Sequence, residues 1–139
     1  DLVKNAADSS GLDPLLILSV KRQESMFQQK AYSVAGALGL MQLMPYTARW
    51  IAEKTGEDFH NLKELFLPEK NIKLGSIYLK KLIQDFGVLP LALAAYNAGE
   101  YRVKQWYSLF NYKDIDEFIE DIPFKETKNY TKKVLTNYF

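Results

Sequence analysis

The stretch Leu91-Ala92-Leu93-Ala94-Ala95-Tyr96 is apolar on nearly every face and is bracketed by Pro90 and by Asn97-Ala98-Gly99. Proline at a first helical position and glycine just past the end punctuate a helix, so the stretch reads as a short one. A helix with no polar face is stable only when other elements wrap it. It is therefore expected as a buried central element, and the rest of the chain must supply the walls. Those walls also read as helices. Asp13-Pro14 is an N-cap followed by N1 and starts a helix through Leu15, Leu16, Ile17 and Val20 toward Glu24. Pro45 opens the next, carrying Ala48, Trp50 and Ile51, with Gly56 near its end. Pro68 begins a longer helix with Ile72, Gly75, Leu79, Leu82 and Ile83 at helical spacing, stopping at Gly87. Two more are expected from Tyr101 to about Phe110 and from Glu126 to about Tyr138. Strand-type alternation is scarce. The expectation is an all-α fold, one compact helical domain over residues 1–139.

Residues 25–44 hold Gly36, Gly39 and much apolar content without a clean period, which predicts a packed loop beside a site. Composition narrows the chemistry. Lys and Arg total 18 against 17 Asp and Glu, and a net charge of +1 carries no polyanion-binding signature, so no nucleic-acid partner is expected. The absence of cysteine excludes a disulfide scaffold and thiolate chemistry. With His60 the single histidine there is no zinc-type cluster, so neither metal nor cofactor is expected. No apolar run is long enough for a membrane-spanning helix, and Asp1 is followed by no apolar leader segment. A first residue other than Met is what a mature or excised piece of a larger protein would have.

Glu24 is the residue with chemical promise. It stands in Arg22-Gln23-Glu24-Ser25, and at helical spacing it prolongs the apolar stripe of Leu16, Ile17 and Val20, with Phe27 just beyond. A carboxyl held there is desolvated, which disfavours its charged form. A neutral carboxylic acid near pH 7 is what protonating a glycosidic oxygen requires. By position alone a helix glutamate is ordinarily a solvated surface residue. The motifs behind Glu24 shift that balance. Ser25 as a nucleophile would need a base, and His60 stands in no triad context, so Ser25 reads as a helix-ending neighbour of the acid.

Gln23-Glu24-Ser25, Gly39-Leu40-Met41-Gln42-Leu43-Met44-Pro45 and Ala95-Tyr96-Asn97-Ala98-Gly99, in this order, resemble the catalytic domain of soluble lytic transglycosylases. The likeness runs from Gly11-Leu12-Asp13-Pro14 through Asn71-Ile72-Lys73-Leu74-Gly75 and Tyr78-Leu79 to Ile122-Pro123-Phe124-Lys125-Glu126-Thr127. It implies a goose-type lysozyme-like helical fold. The last segment resembles the branch whose catalytic domain is the C-terminal part of a larger periplasmic protein. By this resemblance Glu24 is the single catalytic acid/base. Ser33 is implied to bind near the reacting sugar and its N-acetyl group. Gln42 and Met44 are implied to line the groove, an amide for hydrogen bonds and a thioether for apolar sugar faces. Leu43 reads as core, and Met41 is open between core and groove. Tyr96 and Asn97 end the buried helix where Ala95, Ala98 and Gly99 permit close backbone approach, and the tyrosine hydroxyl is placed to reach Glu24 or substrate. Tyr78 matches a groove tyrosine. Glu126, which alone would read as a helix N-terminal glutamate favoured by the macrodipole, is implied to face the cleft and contact substrate. Tyr130 follows at i+4 on the same helix face. The family more often has valine where this chain has Thr131, a departure expected to touch packing rather than chemistry.

The sequence shows no convincing second carboxylate near Glu24. The resemblance implies a substrate-assisted route, an exception to the two-carboxylate rule of glycosidases. The implied reaction is cleavage of the β-1,4 bond between N-acetylmuramic acid and N-acetylglucosamine without water, leaving 1,6-anhydro ends. The implied partner is the peptidoglycan glycan strand, the implied place the periplasm, and the domain is expected to be a monomer. Two alternatives remain: a lysozyme-type hydrolase of the same fold, and a non-catalytic peptidoglycan-binding module. Retention of Glu24 speaks against the module.

Overall fold

The structure, a computed structural model, describes residues 1–109 and 114–139. Among them every extended regular element is helical, and β pairing is confined to the isolated bridges Tyr32–Leu38 and Leu38–Leu43. The all-α expectation holds. Contacts divide the chain into two compact units, Asp1–Lys80 and Lys81–Phe139.

The first unit opens with α1 (Leu2–Ser10), a helix the sequence reading did not anticipate. Its signals are local. The Asp1 side chain accepts from the Val3 amide, and Val3, Ala6 and Ala7 form the buried stripe at i, i+3, i+4. α2 (Pro14–Ser25) packs against it and starts as expected, with the Asp13 carboxylate accepting from Leu15 N at 2.9 Å. α3 (Pro45–Thr55) ends on Gly56, and a 3-10 helix, Leu62–Phe66, leads into α4 (Pro68–Phe86). The core of this unit is built from Leu16, Ile17 and Val20 of α2, Leu40, Met41 and Leu43 of the loop, Ile51 of α3, and Ile72 and Leu74 of α4. The packed-loop expectation holds only for the second half of the loop: Gly39, Leu40, Met41 and Leu43 are buried, whereas residues 26–30, Tyr32, Val34 and Ala35 are exposed. Met41 is fully buried, which resolves it as core alongside Leu43.

In the second unit, α5 (Leu89–Ala98) is the buried element that the opening stretch requires. Leu91, Ala92, Leu93, Ala94, Ala95 and Tyr96 are all buried, and α6 (Glu100–Leu109) and α8 (Lys125–Tyr138) pack against α5. The helix runs two residues past Tyr96, to Ala98, before Gly99 stops it. Gly99 adopts φ 98°, ψ 149°, a conformation essentially reserved for glycine, and a Cβ there would meet nothing within 4 Å. Gly99 is therefore present for its backbone angles and not, as expected, for close approach. α7 (Ile115–Asp121), also unanticipated, packs on α8 and buries Phe118 and Ile119. The expected end of α6 at Phe110 lies outside the described residues.

Candidate active site

Glu24 is the penultimate residue of α2, half-buried, one turn beyond fully buried Val20. Immediately after it the backbone turns sharply. Met26 and Phe27 both take left-handed angles, with φ 51° and 64°. For non-glycine residues such angles cost roughly 1–2 kcal/mol each, so packing must enforce the turn. The turn also explains why Phe27 does not continue the apolar stripe: the helix has ended, and Phe27 is 51% exposed. Its ring lies 5.6 Å from Lys21 Nζ, and burial holds the Lys21 ammonium below its ordinary range. Ser25 is buried, its hydroxyl donating to the Lys21 carbonyl at 3.0 Å. That suits a helix-ending residue and not a nucleophile.

The loop after α2 is a folded unit of its own. Leu38 and Leu43 exchange both backbone hydrogen bonds, at 2.9 and 3.0 Å, and close a turn over Gly39-Leu40-Met41-Gln42. Gln42 sits in the left-handed region at φ 50°, and its Nε2 donates to the carbonyls of Ala31 at 3.1 Å and Gly39 at 2.8 Å. Both amide hydrogens are therefore used by the loop, and only Oε1 remains to meet a sugar, as an acceptor. Ser33 is similarly engaged: its Oγ accepts from Ala37 N at 2.9 Å, leaving the hydroxyl hydrogen to donate outward. Met44 is half-buried at the N-cap of α3, and Tyr78 half-buried on α4. Glu24, Ser33, Gln42, Met44 and Tyr78 all belong to the first unit.

The remaining candidates belong to the second unit. Tyr96 is buried and Asn97 half-buried in the last turn of α5; Tyr130 is buried and Glu126 exposed on α8. Glu126 lies in the first turn of α8, where the macrodipole favours a carboxylate. A residue that sequence reasoning missed joins these two helices: Thr127 Oγ1 donates to Asn97 Oδ1 at 2.7 Å, and Thr127 is buried. Asn97 is thereby fixed in orientation. A second missed residue is Asn71, fully buried on α4. Its sequence signal was available, an amide on the same face as buried Leu74 and Gly75 at i+3 and i+4.

A surface pocket of about 490 Å³ lies elsewhere in the first unit, between Leu2, Glu57, Pro68 and Lys73. It takes in none of the candidate residues. Among the described residues no group of three or more His, Cys, Asp or Glu is placed to hold a metal ion.

Comparison with known proteins decides the family. The description "Transglycosylase SLT domain" matches residues 1–119. The chain belongs to the transglycosylase SLT domain family. Among curated relatives, this SLT domain is 41% identical over 121 residues to the soluble lytic murein transglycosylase of Salmonella typhimurium, covering 85% of this chain and 19% of that protein. It is 37% identical over 138 residues to the Escherichia coli K12 protein of the same name, covering 97% of this chain and 21% of the relative. Two solved structures superpose closely. The lytic transglycosylase Slt of Pseudomonas aeruginosa, an inactive glutamate-to-glutamine mutant, gives a TM-score of 0.92 at 41% identity, over 98% of this chain and 22% of that one. The 70 kDa soluble lytic transglycosylase of Escherichia coli gives 0.93 at 36% identity, over 99% and 23%. The lysozyme-like helical fold is thereby established for this SLT domain. The chain spans about a fifth of the length of these relatives.

Proposed function

We propose that residues 1–139 are the catalytic domain of a longer peptidoglycan lytic transglycosylase, in which Glu24 acts as acid and then as base. The supporting observation is the match of residues 1–119 to the SLT domain, together with relatives at 37–41% identity named lytic murein transglycosylases. That the Pseudomonas relative is inactive as a glutamate-to-glutamine mutant supports a mechanism resting on one carboxyl group. A half-buried carboxyl at the end of an apolar helix stripe is placed as a general acid would be.

In this reading Glu24 gives its proton to the glycosidic oxygen between N-acetylmuramic acid and N-acetylglucosamine as the C1–O bond breaks. The muramoyl acetamido oxygen bonds to C1, forming an oxazolinium-type intermediate. The Glu24 carboxylate then removes the C6 hydroxyl proton, O6 bonds to C1, and the acetamido oxygen leaves. The product end is a 1,6-anhydro ring, and no water enters. Gln42 Oε1, the Ser33 hydroxyl, the Met44 thioether, Tyr78, Tyr96, Asn97, Glu126 and Tyr130 are assigned to binding the strand. Peptidoglycan is then the partner, and the periplasm the place of action.

The test is mass analysis of cell-wall digests made with wild type and Glu24→Gln side by side. Wild type should release muramic ends lighter by one water than reducing ends. Glu24→Gln should lose at least about 10²-fold in rate, since general acid catalysis contributes on that order, while its far-UV dichroism is unchanged. Reducing ends alone would instead establish the lysozyme-type hydrolase, and a variant within tenfold of wild type would remove Glu24 from the mechanism.

A further inference from the structure

We propose that Asn71 is a positioning residue for the glycan-binding loop, acting through the backbone of residues 38–42. The inference rests on the reading above, in which Gln42 and Met44 contact the glycan. The geometry that carries it is a single buried amide making three hydrogen bonds. Asn71 Oδ1 accepts from Met41 N at 2.7 Å, and Nδ2 donates to Leu38 O at 2.9 Å and to Leu65 O at 2.8 Å. Asn71 is 0% exposed, and its bonds to Met41 N and Leu65 O are buried while that to Leu38 O is part-buried, so leaving its amide unmet is costly.

The bonds fall on the two sides of the tight turn. Leu38 O, which also accepts from Leu43 N, is held at the start, and Met41 N at the residue before Gln42. Between them Gly39 leaves no room to shift: a Cβ there would lie 2.1 Å from Leu65 O and 2.2 Å from Asn71 Nδ2. On the next turn of α4, Gly75 receives the Met41 side chain, whose Sδ would be 2.6 Å from a Cβ at that position. The turn that leads into Gln42 is thus clamped to α4 by Asn71, at Leu38 O and Met41 N, and seated by the Met41 side chain. Gln42, at φ 50°, holds a conformation its own chemistry does not favour. A clamp of this kind fixes where the amide oxygen of Gln42 points without touching the sugar.

Positioning of the binding loop should appear in KM, and the chemistry of Glu24 on α2 should not be affected. The substrate for the test is a soluble tetrasaccharide of alternating N-acetylmuramic acid and N-acetylglucosamine. Asn71→Asp keeps the acceptor for Met41 N but has at most one proton for two carbonyls. Asn71→Leu removes all three bonds at similar volume. KM is expected to rise about threefold in Asn71→Asp and tenfold or more in Asn71→Leu, with kcat within about threefold of wild type in both. Wild-type KM in both variants, or a loss confined to kcat, would overturn the inference. Should Asn71→Leu not fold, Asn71→Asp and hydrogen exchange on the unmodified protein decide. The Met41 amide should exchange at least about a hundredfold more slowly than that of Val34, and equal rates would mean that nothing clamps the turn. Glu24→Gln is run in parallel. If it is inactive while the Asn71 variants bind as wild type, the positioning claim alone fails; if it is active, the underlying reading fails and takes the positioning claim with it.

Discussion

At the scale of single residues, Thr131 shows how a departure from a family pattern can be given an energy. The sequence has threonine where the resemblance implies valine. The structure places it fully buried on α8, its hydroxyl without a hydrogen-bond partner among the described residues. A buried hydroxyl left unbonded has lost its water for nothing, at a cost of about 1–3 kcal/mol. Valine has nearly the same shape, and in a helix the two residues have similar propensities. Thr131→Val is therefore expected to stabilise the protein by about 1 kcal/mol, read as a higher urea midpoint at unchanged slope. A lower midpoint would mean that the hydroxyl is satisfied by water. Glu24 illustrates the other side of the residue scale. Its helix, its register and its apolar neighbours were legible as periodicity. The sharp turn at Met26-Phe27 was not, because two left-handed non-glycine residues are forced by packing and leave no compositional mark.

Among elements, α7 and α8 are joined by charge as well as by their apolar faces. Glu120 on α7 accepts from Lys132 at 2.6 Å and from Lys128 at 3.2 Å, both on α8. The hydrogen bonds from Lys132 and Lys128 hold the Glu120 carboxyl below its ordinary range. A carboxyl depressed in the folded state binds protons more weakly there than in the unfolded chain. Its contribution to stability is thus present above the unfolded glutamate value of about 4.3 and is lost as pH falls through the lower folded value. Glu120 and Lys132 are exposed and Lys128 is half-buried, so the contribution is small and screened by salt. The expected result is a melting temperature for wild type above that of Glu120→Gln at neutral pH, with the gap narrowing as pH falls below the ordinary glutamate range. A gap that persists unchanged in acid would assign it to packing. α7 itself went unread because a helix of 7 residues shows too few turns for a period to emerge, although Asp114 caps it in the ordinary way. The turn over Gly39 was equally opaque: its order comes from Asn71, some thirty residues along the chain.

For the whole molecule, what the sequence reveals divides along the same line. Proline and glycine punctuation located α2 through α5 within about two residues, because those residues act through local backbone geometry. The motifs carried the family, since four short segments in order are far more specific than any one. Contacts made across the sequence, Thr127 to Asn97 and Asn71 to Leu38, were invisible as contacts even though the residues were in view. Charge is the property that the sequence states outright, and it bears on how the proposed enzyme would find a glycan strand. The net charge is only +1, and many lysines are engaged locally: Lys73 with Glu57, Lys81 with Asp85 and Glu100, Lys128 and Lys132 with Glu120. A cation already paired adds little long-range field, and a near-neutral molecule steers an anionic polymer weakly. Raising salt from about 50 to 300 mM shortens the screening length only about 2.4-fold, which weakens long-range attraction and leaves close contacts already in place little changed. The expectation is that kcat/KM on wall fragments changes by less than about threefold over that range. A tenfold fall would instead show that a local cluster of basic side chains draws the strand in, and would direct attention to the lysines outside these pairs.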